Sequence, residues 1–117
     1  MAAPNIVNVT TILGKTAVQQ VTTSATAIVT NGAASGKVFK INALYIANVD
    51  GTNAADISVA LHRSSVSYEI AHTVSVPADA TLDVISKSIY LEEGDELRLT
   101  ASANSDLEAV CSYEEIS

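Results

Sequence analysis

The chain has 117 residues, 13 acids against six bases and a formal charge of −7, so it is long enough to bury roughly 65% of its unfolded surface as one domain. Residues 1–91 balance five acids with five bases, whereas residues 92–117 hold eight acids and only Arg98, which accounts for the whole excess. An acidic C-terminal quarter speaks against sequence-independent binding of nucleic acid and against docking on anionic lipid, both of which need clustered Lys and Arg. A single cysteine, Cys111, forbids an internal disulfide.

Residues 1–5 read as an extended N-terminal arm, without the basic and then apolar regions of a secretory signal. Ile6 to Ile12 reads as a strand, Leu13-Gly14-Lys15 as a bend, and Thr16 to Val21 as a weaker strand. Ala25 to Thr30 is a further strand, followed by the turn residues Asn31-Gly32 and an irregular connection. Val38 to Val49 is the longest candidate. Strict alternation puts Phe39, Ile41, Ala43, Tyr45, Ala47 and Val49 on one face and Val38, Lys40, Asn42, Leu44, Ile46 and Asn48 on the other. With one apolar and one half-apolar face, this strand is expected to sit centrally with cover on both sides.

Asp50-Gly51-Thr52-Asn53 ends that run with turn residues. Ile57, Val59 and Leu61 resume the alternation, and after Arg63-Ser64-Ser65 it returns through Tyr68, Ile70, His72, Val74 and Val76. Pro77 to Ala80 is a turn, Thr81 to Ser86 a strand with Leu82 and Val84 in phase, and Ile89-Tyr90-Leu91 a short strand. Gly94 is expected in the left-handed position of the Glu92–Asp95 turn. Leu97, Leu99 and Ala101 then point inward, and the last strand directs Leu107, Ala109, Cys111 and Tyr113 inward with Glu108, Val110, Ser112 and Glu114 outside. No window carries a helical apolar period with caps. The sequence therefore predicts an all-β, single antiparallel β-sandwich, jelly-roll or immunoglobulin-like, with about eight strands and little or no helix.

Chemistry is sparse. His62 is expected on the surface beside Arg63, and His72 on an apolar face as a core or interface residue; the two could approach each other across a hairpin. Neither has a Cys or carboxylate at zinc-ligand spacing. Cys111 reads as a small buried hydrophobe, because its acidic surroundings do not favour a thiolate. Glu92, Glu93, Asp95 and Glu96 lack the alternating spacing of a calcium loop and read as a solvated turn, or as a surface for a basic partner. No catalytic residue, cofactor or metal is expected. Val38, Leu44 and Ile46 offer more apolar surface than one small sheet pair needs, which marks them as a subunit contact in a homo-oligomer.

The stretches Ala47-Asn48-Val49-Asp50-Gly51-Thr52, Ile89-Tyr90-Leu91-Glu92-Glu93-Gly94-Asp95 and Ser112-Tyr113-Glu114-Glu115-Ile116-Ser117 resemble small virion structural proteins of tailed bacteriophages, notably of marine cyanophages, over a span from about Val7 to the end. The resemblance implies a non-enzymatic β-sandwich part of the particle, made in the bacterial host cytoplasm and incorporated into the virion. The first expectation is a capsid decoration (cement) subunit bound to the major capsid protein, trimeric by analogy with capsid threefold positions. In this reading Glu92–Glu96 meets basic capsid patches. The alternatives are a neck, tail or fibre component, and a surface carbohydrate-binding sandwich using Tyr45, Tyr68 or Tyr90.

Overall fold

The computed structural model describes residues 4–117, so most of the expected arm over residues 1–5 lies outside the described residues. Nine strands and no helix form along the described chain: β1 (Ile12–Gln20), β2 (Thr26–Thr30), β3 (Val38–Asn48), β4 (Ala55–Arg63), β5 (Val66–Val76), β6 (Thr81–Asp83), β7 (Ile89–Leu91), β8 (Glu96–Ala101) and β9 (Leu107–Ile116). They make two antiparallel sheets. One runs β1-β9-β3 and ends on β6 and β7, which share the far side of β3; the other runs β2-β8-β4-β5. Pairing is nested: β1 with β9, β2 with β8, β3 with β6 and β7, β4 with β5, alternating between the sheets. That nesting is the jelly-roll wrap, which decides between the two sandwich types left open by the sequence.

Two expectations about the N-terminal third are corrected. Ile6 to Thr11 is not a strand, because Asn5 caps a turn there: its Oδ1 accepts from the Val7 N–H at 3.0 Å and its carbonyl from the Asn8 N–H at 2.9 Å. Leu13-Gly14-Lys15 is not a bend but the interior of β1, held in unbroken register to β9.

The core lies between the sheets. Ile41, Leu44, Ile46, Ile57, Val59, Leu91, Leu97, Leu99, Leu107 and Cys111 are completely buried there. The inward residues expected for the last two long strands, Leu97, Leu99, Ala101, Leu107, Ala109 and Cys111, are all in this core. Strand β3 departs from strict alternation. Its register to β9 shifts between Ile41 and Ala43, so Asn42 is the extra residue of a bulge. Phe39 and Ile41 point inward before the bulge, Leu44 and Ile46 after it, and Ala43, Tyr45 and Ala47 are thrown outward.

Buried asparagines close both ends. Asn31 donates to the carbonyls of Lys37 and Leu91 at 2.9 and 3.0 Å and accepts from Ser35 Oγ at 2.6 Å. Asn48 donates to the carbonyls of Asn53 and Val76 at 3.0 and 2.9 Å and accepts from the Asp50 N–H at 2.9 Å. Each side chain thus ties loops from separate strands, which offsets the cost of burying it.

Gly94 has φ +88°, as expected for its turn. The β4–β5 hairpin turns on Ser64 and Ser65, at φ +52° and +63°, a two-residue loop with both central residues left-handed. Serine pays a steric penalty in that region that Asn and Gly largely avoid. The double substitution Ser64→Asn with Ser65→Gly is expected to raise the unfolding free energy by about 1 kcal/mol, read as a higher denaturant midpoint at unchanged slope.

Candidate interaction surfaces

The Asn42 bulge redraws the contact surface expected from the sequence. Leu44 and Ile46 are fully buried inside the sandwich and cannot present themselves to a partner. Val38 faces outward but is only 7% exposed. It lies beside Pro4, Ile6 and Tyr90, where the N-terminal segment crosses the sheet. What the bulge exposes instead is a row across the outer face of the β1-β9-β3 sheet. Val18 pairs with Val110 and Val110 with Tyr45, and these three are 74%, 40% and 44% exposed. The next row is Thr16, Ser112 and Ala43. Within these three strands neither row contains a charge, and the first ends at Asp83 of β6, the partner of Tyr45. A sign was present in the sequence: between Glu108 and Glu114 the outer side of the last strand carries one large apolar residue, Val110.

The acidic turn is not a free patch. Asp95 is buried and receives Arg63 Nε at 2.8 Å, Arg63 Nη2 at 2.6 Å and the Glu92 N–H at 2.8 Å. Burial alone pushes its carboxyl up. The Arg63 hydrogen bonds, the Glu92 N–H and the Arg63 charge outweigh that and hold it below the usual carboxylate range. Glu93 accepts from the Gly36 N–H at 2.9 Å, and Glu96 pairs with Arg98 at 2.8 Å. Only Glu92 is well exposed, and it too meets Arg63, at 2.8 Å. At the far end of the chain, Glu115 is clamped by Lys15 at 2.8 Å and Lys37 at 3.1 Å. The Lys15 hydrogen bond is the chief reason that its carboxyl also lies below the usual range.

The histidines do not converge. His62 Nδ1 and Ser67 Oγ share a hydrogen bond at 3.0 Å across the hairpin, and His72 sits by Glu69 at 3.3 Å. His72 is exposed rather than in the core. The β5 register shifts twice against β4, between Ile57 and Val59 and again between Val59 and Ala60, and Thr73 adopts φ +47°. Ile70 and Val74, in phase with His72 in the sequence, are themselves 41% and 38% exposed, so this margin strand buries almost none of that face. Cys111 is buried, and burial pushes its thiol up to about 11. Tyr45 and Tyr90 lie on strands of one sheet and Tyr68 on the edge of the other, so the three do not form one stacking platform. Among the described residues no three of His, Cys, Asp or Glu gather as a metal site.

No protein-family model matches the sequence, and no curated protein matches it. By structure, the chain is similar to one from Bacillus endospore appendages, which form disulfide-linked pili, with a TM-score of 0.56 and 12% identity over 100% of this chain and 96% of the other. It is also similar to a chain of the acid-stable capsid of Helicobacter pylori bacteriophage KHP30, with a TM-score of 0.54 and 7% identity over 94% of this chain and 90% of the other. At such identities these likenesses establish a shared fold.

Asp95 and Glu115 contribute to the pH dependence of stability. Both carboxyls lie below their ordinary values of 3.8 and 4.5 in the folded chain, so each stabilises the fold above those values. That contribution is lost as pH falls through the depressed folded values. Unfolding free energy is expected to be level at neutral pH and to drop below about pH 4 in urea titrations. Asp95→Asn should flatten the acid limb and cost about 2 kcal/mol at pH 7, under the roughly 3–5 kcal/mol of a fully buried pair because Arg63 reaches water.

Proposed function

We propose that this chain is a non-enzymatic structural protein of a bacteriophage particle, a decoration subunit seated on the outside of the capsid lattice. The observation that carries the reading is the outer face of the β1-β9-β3 sheet, where Val18, Val110 and Tyr45 stand exposed in one row on hydrogen-bonded backbone, between the flanking Glu108 and Glu114. A rigid sheet face of this kind suits a flat partner. An exposed apolar row on a small β-domain marks a contact surface, and its one aromatic residue, Tyr45, suits an anchor. Each contact can be weak, because many copies on one particle multiply it.

The phage reading draws on two independent supports. One is the resemblance of three segments of the sequence to tailed-phage virion proteins. The other is the likeness of the fold to a chain of a phage capsid. The pilus likeness suggests assembly by a different route, yet Cys111 is the one cysteine of this sequence and is sealed in the core, out of reach of a disulfide between subunits. A carbohydrate-binding role is disfavoured by the dispersion of Tyr45, Tyr68 and Tyr90 over two sheets. Binding to basic capsid patches through Glu92–Glu96 is a smaller component than the sequence implies, since Asp95 and Glu96 already have arginine partners.

Copy number in purified particles tests the assignment. A lattice component is present at roughly hundreds of copies, whereas a neck, tail or fibre part is held to about a dozen or fewer by its closed symmetry. Glycan binding abolished by Tyr→Ala changes would instead support the carbohydrate reading. Tyr45→Asp is expected to leave the fold intact and to lower occupancy on undecorated capsids about tenfold at subsaturating protein, the equivalent of about 1.4 kcal/mol of lost contact.

A further inference from the structure

The margins of the two sheets are protected unequally. β6 and β7, which end one sheet, are three residues long each. β2, at one margin of the other sheet, has five residues and a bulge between Ala27 and Val29. β5, at its opposite margin, is bulged twice and carries Thr73 at φ +47°. Short strands and bulges are the usual means of preventing another chain from pairing on an edge. β1 has none of them. Its nine residues pair with β9 in one continuous register, it contains no proline, and its single charge, Lys15, is drawn to Glu115 at 2.8 Å.

The hydrogen-bond phase of β1 is fixed by its start. Thr11 and Ser117 exchange both backbone hydrogen bonds, each at 2.9 Å. In an antiparallel ladder such pairs alternate, so Leu13, Lys15, Ala17 and Gln19 bond to β9. Ile12, Gly14, Thr16, Val18 and Gln20 therefore turn their N–H and C=O groups away from β9, along the open edge. Gln19 is tied inward to the other sheet: its Nε2 donates to the Ala27 carbonyl at 3.0 Å, and its Oε1 is buried.

We infer that two copies of this chain pair along β1, antiparallel about a twofold axis through Ala17, and so join their sheets into one. In this register Gly14 faces Gln20 and Thr16 faces Val18 of the second copy as hydrogen-bonded pairs, which uses the outward-turned groups. Lys15 stands opposite Gln19 of the second copy in a closer, non-hydrogen-bonded pair, where side chains interact most directly. Each position of the strand meets a different residue of the second copy except at the axis, where two small Ala17 side chains meet, so no like charges are brought face to face. The two Lys15 side chains stay four positions apart, about 13 Å along the strand. A foreign strand would not repeat this complement, and a twofold contact replaces the threefold one expected by analogy. The inference concerns the free protein and holds whether or not the decoration reading is right.

The full chain is expected to sediment at twice its 12.1 kDa mass at micromolar concentration. Thr16→Pro deletes an outward N–H without touching the β9 ladder, so it should give a folded 12.1 kDa monomer with an unchanged melting temperature. Cys111 pairs directly with Ala17 across β1 and β9, so both cysteine variants are made with Cys111→Ala. In that background Ala17→Cys should cross-link to its twin under mild oxidation at least about tenfold faster than Val49→Cys, because pairing raises the local thiol concentration. The inference is overturned by a wild-type monomer up to about 100 µM, a trimer, a dimer that survives Thr16→Pro, or equal cross-linking of the two cysteine variants.

Discussion

The whole arrangement depends on one extra residue in the strand that every part of its sheet leans on. β3 is hydrogen-bonded on both sides, to β9 along its length and to β7 and β6 at its two halves. The bulge at Asn42 inverts its second half. Without it, Leu44 and Ile46 would face solvent and Ala43, Tyr45 and Ala47 would face the opposite sheet. Burying Leu44 and Ile46 gains about 1.5–3 kcal/mol each, far more than two alanines can return, and Tyr45 would need a partner for its hydroxyl in the core. The same inversion puts Tyr45 in line with Val110 and Val18. A packing requirement inside the sandwich thus creates the apolar row outside it.

The ends of the sandwich meet a different constraint. Loops there bring backbone carbonyls under cover that no strand can satisfy. Asn31 and Asn48 answer this with amide groups that donate twice and accept once, each between segments far apart in sequence. Arg63 does the same for a charge: it leaves the tip of β4 to fill the lone pairs of buried Asp95 in the β7–β8 turn. Glu115, with Lys15 and Lys37, joins β9 to β1 and to the loop before β3. Much of the charge that makes the C-terminal quarter look like a docking patch is therefore spent on holding loops.

Alternation and turn chemistry made most of the fold legible. β2, β3, β4, β8 and β9 begin and end within a few residues of their expected limits, and the inward set of β8 and β9 was readable side chain by side chain. Bulges were not legible, because Asn42, His72 and Thr73 are ordinary residues for a strand and the shift arises only from pairing. The outward expectation for Leu44 and Ile46 fails for that reason, whereas His72 is exposed together with Ile70 and Val74 because β5 is a margin of its sheet. The N-terminal strand misread has a local cause, since Asn5 competes for the backbone of Val7 and Asn8 before any sheet partner can. The contact surface was half visible in Val110. The open edge was not, because whether β1 lies at a margin is a matter of topology rather than composition.

That edge and the net charge bear on each other. Two copies each carrying −7 repel at long range, but at physiological salt this repulsion is screened beyond about 8 Å, so association is decided by what meets at contact. Strand β1 contains no acid, and its neighbour β9 presents Val110 and Ser112 on the outer side between Glu108 and Glu114. An acidic protein can approach its own kind only where carboxylates are absent or already paired. The middle of β1 meets this best: Thr16, Ala17 and Val18 pair with Ser112, Cys111 and Val110, and the inward carboxylate nearby, Glu115, is neutralised by two lysines. Pairing there would also bring the exposed Val18 of each copy beside the other's Thr16, extending the two uncharged rows across the axis. The surface suited to a flat partner and the edge suited to a twin are then one continuous feature of the same sheet.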